Sequence, residues 1–359
     1  MKILQVTTIS DTVNDFLLPQ IDLLAQAGHQ VDVACELVAA PKWDEKNHPT
    51  HCIHFSRSPL KVQNVTAYRQ MYQLLKQENY DLIHTHTPCA SAITRLAASG
   101  MGVKVLYTVH GFHFFEGAPA MNWRIYYTME RLLARFTDGL VTMNEEDYQV
   151  ACQLPIRQAG SVYQVHGVGI DLETQQVSQI RKDYQLATDE QIICFVGELS
   201  ERKNQRILIE ALALLKQEGR KVKLFLVGDG TKLEDYQDLA RQQGVEDEVI
   251  FTGYCENVQR FLEGADVVAS ASKQEGLPVN IMEALFFHTP CVVSDIRGHR
   301  DLITDDQLGL VVKNNATAMA HGIGVVLDHS EEFTPYLSEA YQVDSVMSEM
   351  TKVYQEFER

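Results

Sequence analysis

Val267-Val268-Ala269-Ser270-Ala271-Ser272-Lys273-Gln274-Glu275-Gly276-Leu277-Pro278-Val279-Asn280-Ile281-Met282-Glu283-Ala284-Leu285 is an apolar run, a polar loop and a helical pattern in immediate succession. Residues 267–270 suit a buried strand, and Pro278 suits a helix start, where its missing N–H costs nothing. A strand feeding a helix through a short loop is the building unit of a parallel sheet. Two acids lie eight positions apart in this unit. Glu275, in the loop, can accept hydrogen bonds from hydroxyls. Glu283, in the helix, can chelate a vicinal diol such as a ribose. Gly276 and the free amides of the first turn offer a site for a phosphate. A solvated helix start with dipole-matched acids is the plainer alternative. It leaves the preceding strand and the Gly-Leu-Pro unexplained.

The same alternation runs outward in both directions. Strand-like runs at 192–196, 224–227, 249–252 and 291–294 are separated by helical patterns at 205–217, 232–243, 258–263 and 280–287. An earlier series has strands at 3–7, 31–35, 82–85, 104–108 and 139–143, with helices at 16–27, 67–77, 90–99 and 123–135. The pattern predicts an α/β protein of two doubly wound parallel-sheet domains, 1–165 and 191–342, facing across a cleft. Glycines at 167 and 169 make 166–171 the natural hinge within a 166–190 linker, and 343–357 reads as a final helix. In such sheets ligands bind beyond the carboxyl ends of the strands, so the loops there are where chemistry is expected.

Composition narrows the class. Hydrophobic residues make up 45% of the 359 and charged residues 22%, enough to bury two cores. No window approaches the roughly 18 apolar residues of a spanning helix, and the start is too quickly polar for a signal peptide, so a cytoplasmic protein is expected. Seven dispersed cysteines without a C-x-x-C pair argue against disulfides and a zinc ribbon. A net charge of −17 disfavours nucleic acid. The acidity is uneven: residues 1–165 hold 13 basic against 15 acidic side chains, the remainder 18 against 33. Only the first half can comfortably approach an anionic membrane.

Other loops after strands carry candidate groups. Gly197-Glu198-Leu199-Ser200-Glu201-Arg202-Lys203-Asn204 places a turn-forming glycine before two cations, which a diphosphate leaving group needs. Val227-Gly228-Asp229-Gly230 is a second glycine-rich turn. Neither is G-x-G-x-x-G, and no glycine follows the first strand, so a dinucleotide oxidoreductase is disfavoured. In the first half, His110 and His113 lie in Thr108-Val109-His110-Gly111-Phe112-His113-Phe114-Phe115. His84 and His86 share one face of a strand end; they suit a polar cleft wall better than a metal site, since no carboxylate or cysteine completes a ligand set nearby. The chain has no D-x-D and no G-x-S-x-G.

Together, the glutamates at 275 and 283, the Gly-x-x-x-x-Arg-Lys loop and the Val-Gly-Asp-Gly turn resemble the retaining glycosyltransferases of family 4, with the GT-B fold, over nearly the whole chain. His84-Thr85-His86-Thr87-Pro88, His110 to Phe115 and Ser294 to Ile303 resemble a bacterial subgroup serving capsule, exopolysaccharide and lipid-linked glycan assembly. The resemblance implies that Arg202 and Lys203 bind the donor diphosphate and Glu275 the sugar hydroxyls. It implies that Glu283 holds the ribose, with Gly197, Gly228, Gly276, Leu277 and Pro278 around the donor. His110 would contact the donor sugar, with His84, His86 and His113 on the acceptor side, and the last helix would cross back to the first domain. The implied donor is a UDP-sugar, a hexose or N-acetylhexosamine; no cofactor and no metal are expected. Two departures stand out: residues 7–13 lack the glycine pair common after the first strand, and Asn280 occupies a usually apolar position.

The implied acceptor is a glycan, with a polyprenyl-diphosphate carrier left open. Residues 123–136 are amphipathic, with Arg124, Arg131 and Arg135 at helical spacing, and suit either a membrane surface or an ordinary solvated helix face. Two other readings stand beside the transferase: a UDP-sugar 2-epimerase of related fold, and a non-catalytic partner subunit that would be expected to lose the donor residues.

Overall fold

The computed structural model describes residues 1–58, 61–172 and 178–358. The chain divides into two units, Met1–Gly169 with Ala340–Arg359, and Ile170–Glu339. Part of the expected linker, 173–177, lies outside the described residues.

The first unit is built on seven parallel strands: β1 (Lys2–Ile9), β2 (Gln30–Glu36), β3 (Thr50–Cys52), β4 (Leu82–Thr85), β5 (Lys104–Thr108), β6 (Gly139–Thr142) and β7 (Ser161–Gln164). They are ordered β3-β2-β1-β4-β5-β6-β7. The second has β8 (Gln191–Val196), β9 (Val222–Val227), β10 (Val249–Gly253), β11 (Val267–Ser270), β12 (Cys291–Ser294) and β13 (Gly309–Val312), ordered β10-β9-β8-β11-β12-β13. Each is a Rossmann-like sheet, and each reverses its strand order beside its first strand. That reversal opens a crevice between β1 and β4 in one unit and between β8 and β11 in the other, the two places where a ligand can enter.

Continuous apolar strands such as Ile192 to Val196 are buried on both faces, because helices cover both sides of the sheet. Val343–Phe357 lies in the first unit and buries Val346, Met350, Val353, Tyr354 and Phe357. The helix expected at 123–135 is present as one unbroken helical run over 120–136, in which α-helix Ala120–Asn122 and Thr128–Leu133 flank a π turn at Trp123–Tyr127 and the last turn, Ala134–Phe136, is 3-10. Likewise the helix expected at 16–27 begins as a π turn at Val13–Leu17 before Leu18–Gln26.

The glycine-free stretch after β1 needs no left-handed residue: none of residues 7–13 has a positive φ, and the Thr8 amide donates to the hydroxyl oxygen of Thr87, in the loop after β4, at 3.1 Å. Ser10 Oγ accepts from the amides of Val38 and Ala39, fixing the chain as it turns into its first helix.

Candidate donor and acceptor sites

The crevice of the second unit gathers most of the expected donor residues. Arg202 Nη1 lies 3.0 Å from Glu275 Oε2, and Lys203 Nζ lies 2.8 Å from Glu275 Oε1. Two loops from different strand ends meet here because backbone and amide groups tie them together. The Lys273 amide donates to Arg202 O at 2.8 Å, and Asn204 Nδ2 donates to Ala271 O at 3.1 Å. Asn204 makes the turn itself with a φ of 57°. Burial alone would raise the Glu275 carboxyl, but the charges of Lys203 and Arg202 overcome it and hold it down to about 2. Glu275 is therefore an anion that already holds two cations, not an unengaged nucleophile.

The glycine turns pack against one another beneath this cluster. A Cβ on Gly228, whose φ is +140°, would come within 2.2 Å of Gly197 O, so these loops meet only as glycines. Asn280, whose role was not legible, donates from Nδ2 to Val196 O at 2.8 Å and pins the start of helix Val279–Phe286 to the end of β8. Pro278 caps that helix in an extended conformation, and Gly276 and Leu277 are half-buried beside it. Glu283 is half-buried, and its side chain makes no hydrogen bond or ion pair with the described residues; burial pushes its carboxyl up to about 7.

Sequence reasoning missed three neighbours. Arg297, 2% exposed, donates from Nε to Glu275 O at 3.1 Å. His299 is fully buried, with Nδ1 2.8 Å from Ser294 O, and burial drives it down to about 4 despite Glu275 nearby. Asn314 donates to Ala271 O and Ser272 O, bracing the loop from its other side. Arg297 and His299 follow β12, the neighbour of β11, and Asn314 follows β13 beyond it. Arg297 and His299 both lie in Ser294 to Ile303, already part of the recognised pattern, which gave neither of them a role; nothing pointed to Asn314.

In the first unit, the run after β5 is anchored by Phe112 and Phe114, stacked at 4.7 Å in the core, with Trp123 and Tyr127 closing around Phe114. This holds His110 half-buried at the strand end, its Nε2 3.2 Å from His86 Nδ1. His84 and His86 must be corrected. Both were expected on the acceptor side, yet they are 0% and 1% exposed. His84 is bonded to Tyr354 and Thr108, and His86 to His110 and Gln5, so neither has a nitrogen to offer an acceptor. The shared face is real, but it points inward. His113 behaves differently: with Thr8, Ile9, Thr12, Arg57, Tyr126 and Met129 it lines a cavity of about 340 Å³ at the β1–β4 crevice.

Among the described residues, the one cluster with metal-ligating chemistry is Glu36, Cys52 and His54, at the β2–β3 edge and separate from these groups. No described helix is long and apolar enough to cross a membrane.

Comparison with known proteins agrees with this architecture. Residues 20–173 match the model for "Glycosyltransferase Family 4" and residues 176–341 that for "Glycosyl transferases group 1". EpsD of Bacillus subtilis, described provisionally as a glycosyltransferase, is 38% identical over 87% of this chain and 83% of its own length. The Escherichia coli UDP-Gal:alpha-D-GlcNAc-diphosphoundecaprenol alpha-1,3-galactosyltransferase is 26% identical over 74% of this chain and 70% of its own. The crystal structure of Anabaena HepE in complex with UDP shares the fold, with a TM-score of 0.77 at 20% identity, covering 99% of this chain and all of that one.

Proposed function

The chain belongs to the family 4 glycosyltransferases, with the GT-B fold, and on that premise we propose that it transfers a hexose or N-acetylhexosamine from a UDP-sugar to a polyprenyl-diphosphate-linked saccharide during surface-polysaccharide assembly. The observation that carries the proposal is the convergence of Arg202 and Lys203 on Glu275 at the second unit's crevice. As the sugar–phosphate bond breaks, charge gathers on the β-phosphate, and two fixed cations stabilise it where a divalent ion would otherwise be needed. Transfer with retention follows the same logic. With Glu275 held by both cations and withdrawn as a nucleophile, retention requires the acceptor hydroxyl to attack C1 from the leaving-group face. Its proton passes to the departing β-phosphate oxygen as the C1–phosphate bond breaks. The names of two relatives support the choice of substrates: HepE was solved with UDP, and the E. coli enzyme acts on a diphosphoundecaprenol acceptor to make an α-1,3 linkage. Family membership removes the ground for the epimerase reading, and a non-catalytic subunit would not be expected to keep the Arg202–Lys203–Glu275 cluster.

A thermal-shift screen tests the donor. UDP-sugars are expected to raise the melting temperature, and GDP- and ADP-sugars much less, because a ligand that binds only the folded state stabilises it. The UDP-sugar effect carries a pH signature. Ribose hydroxyls donate to an ionised Glu283, whereas burial holds the free carboxyl up to about 7. Binding below that value must expel a proton, so affinity falls by up to about tenfold per pH unit as pH drops from about 8 to 6. The ligand-free protein moves the other way: the protonated Glu283 contributes stability at low pH, and that is lost as pH rises through about 7. Glu283→Gln should flatten both trends. Equal shifts from all three nucleotides would refute the donor assignment, and an unaltered trend in the variant would refute the ribose role.

The 340 Å³ cavity is our candidate for the acceptor, with Arg57 and an apolar wall among its described lining residues suiting a phosphate beside an isoprenoid. The turns over 120–136 contribute Tyr126 and Met129 to that cavity and expose Met121, Arg124, Ile125, Arg131, Leu132 and Arg135 outward. Three large apolar groups, each more than half exposed, alternate with three arginines, as on a helix that rests on an anionic bilayer. Sedimentation with vesicles containing anionic lipid is expected to carry down the protein, and Ile125→Glu with Arg131→Glu should abolish it. A protein that stays in the supernatant refutes the membrane contact.

A further inference from the structure

His110 ends a chain of hydrogen bonds that crosses the interior of the first unit. The hydroxyl of Tyr354, from the last helix, lies 2.6 Å from His84 Nδ1 and 3.1 Å from Gln5 Nε2. His84 Nε2 lies 2.7 Å from Thr108 Oγ1. Gln5 Oε1 lies 3.0 Å from His86 Nε2, and His86 Nδ1 lies 3.2 Å from His110 Nε2. Every member except His110 is buried. Burial keeps all three imidazoles neutral, driving His84 down to about 3, His110 to about 4 and His86 well below its ordinary value.

A neutral imidazole has one N–H donor and one bare nitrogen, so a single choice propagates along such a chain. Gln5 transmits that choice, because its two ends differ, and the 2.6 Å approach of the Tyr354 hydroxyl to His84 Nδ1 makes it, since a phenol donates to an imidazole nitrogen more readily than it accepts there. Its amide N–H faces Tyr354 and its carbonyl faces His86. His86 must then donate from Nε2, which leaves Nδ1 bare to accept from His110 Nε2–H. On the other side, Tyr354 accepts from Gln5 and gives its own proton to His84 Nδ1, and His84 donates from Nε2 to Thr108. The bare nitrogen of His110 is therefore Nδ1.

We propose that Tyr354, acting through Gln5 and His86, is a positioning residue that locks His110 as the Nε2–H tautomer, so that Nδ1 meets the donor sugar as a hydrogen-bond acceptor for one of its hydroxyls. This rests on the reading that His110 contacts the donor. The tautomer itself does not. The same six groups would work with every bond reversed if Gln5 turned over, and His110 would then offer an N–H instead. The orientation of one buried amide thus decides whether the sugar meets a donor or an acceptor.

Long-range 1H–15N spectra of the full chain labelled at histidine read the tautomer directly, with His110→Asn identifying the ring. In the wild type, His110 is expected to carry its proton on Nε2; an Nδ1–H signal overturns the proposal without any variant. In Tyr354→Phe, which keeps the ring and loses the hydroxyl, Gln5 loses the partner that orients it. His110 is expected to become a mixture of tautomers, and kcat/KM for a UDP-sugar to fall about tenfold, one neutral hydrogen bond's worth. A His110 signal unchanged in Tyr354→Phe overturns the relay, whatever happens to activity. A shifted tautomer with unchanged transfer leaves the relay standing and overturns the contact between His110 and the donor.

Discussion

Lys203→Ala is expected to lower transfer by about a thousandfold, and the slow release of UDP from donor alone by a similar factor, because it removes a fixed cation from the point where leaving-group charge develops. Lys203 Nζ is the nearer of two cations on Glu275, at 2.8 Å, and its side chain is only 12% exposed. Arg202 is 45% exposed and shared with Gln274 O, so it cannot replace that charge at the same place. The loss extends to Glu275. Without Lys203 the carboxyl, now held down to about 2, rises toward its ordinary value and beyond, since burial then acts with less opposition. Glu275→Ala should fall as far for the complementary reason, because both cations lose the group that aims them. Acceptor-independent UDP release, measured alongside the thermal shift from a UDP-sugar, separates lost chemistry from lost binding. Near-normal release by either variant refutes the site.

The second unit's site was legible because its chemistry is local. Gly197 and Gly228 directly follow apolar strands, Arg202, Lys203 and Glu275 lie five to seven residues beyond one, and Glu283 is on the helix that follows β11; the strand order of a Rossmann-like sheet brings those ends together. What failed was long-range. His84 and His86 look like site residues by spacing, yet a tyrosine 270 positions beyond His84 claims the inner one. No pattern along β4 announces that. The edge strands β3 and β7 escaped because they are short and partly exposed, so their residues alternate little and read as loop. The helix Ala316–Asp328 escaped for a different reason: Gly322 and Gly324 weaken its local preference. Gly322 in fact lets the helix approach β12 and β13, where a Cβ would already crowd Val292 and Val312 at about 3 Å. The π turns at Val13–Leu17 and Trp123–Tyr127 add a residue to a helical turn without changing its apolar spacing enough to show.

Glu130→Ala is expected to be the most destabilising single change in the first unit, by about 3–5 kcal/mol, or roughly 10 °C in the melting temperature of that unit. Glu130 Oε2 lies 2.8 Å from Arg95 Nη2, and the side chains are 4% and 0% exposed. Arg95 also lies over the Tyr107 ring at 4.3 Å, so its guanidinium is enclosed by protein on the strand that leads to His110. Removing the acid would leave a positive charge with neither water nor a counter-ion, and that uncompensated charge is the source of the cost. Two further measurements separate this from mere loss of a contact. Replacing both partners, Arg95→Met with Glu130→Leu, removes the charge as well as the pair and is expected to recover most of the stability. The thermal shift from a UDP-sugar should survive in Glu130→Ala, because the Arg202–Lys203–Glu275 cluster lies in the other unit. Vesicle binding should weaken, since Glu130 ties the turns bearing Ile125 and Leu132 to helix Pro88–Ala98. A melting temperature unchanged in Glu130→Ala, or a double variant no more stable than the single one, would mean that the ion pair is not what holds this segment in place.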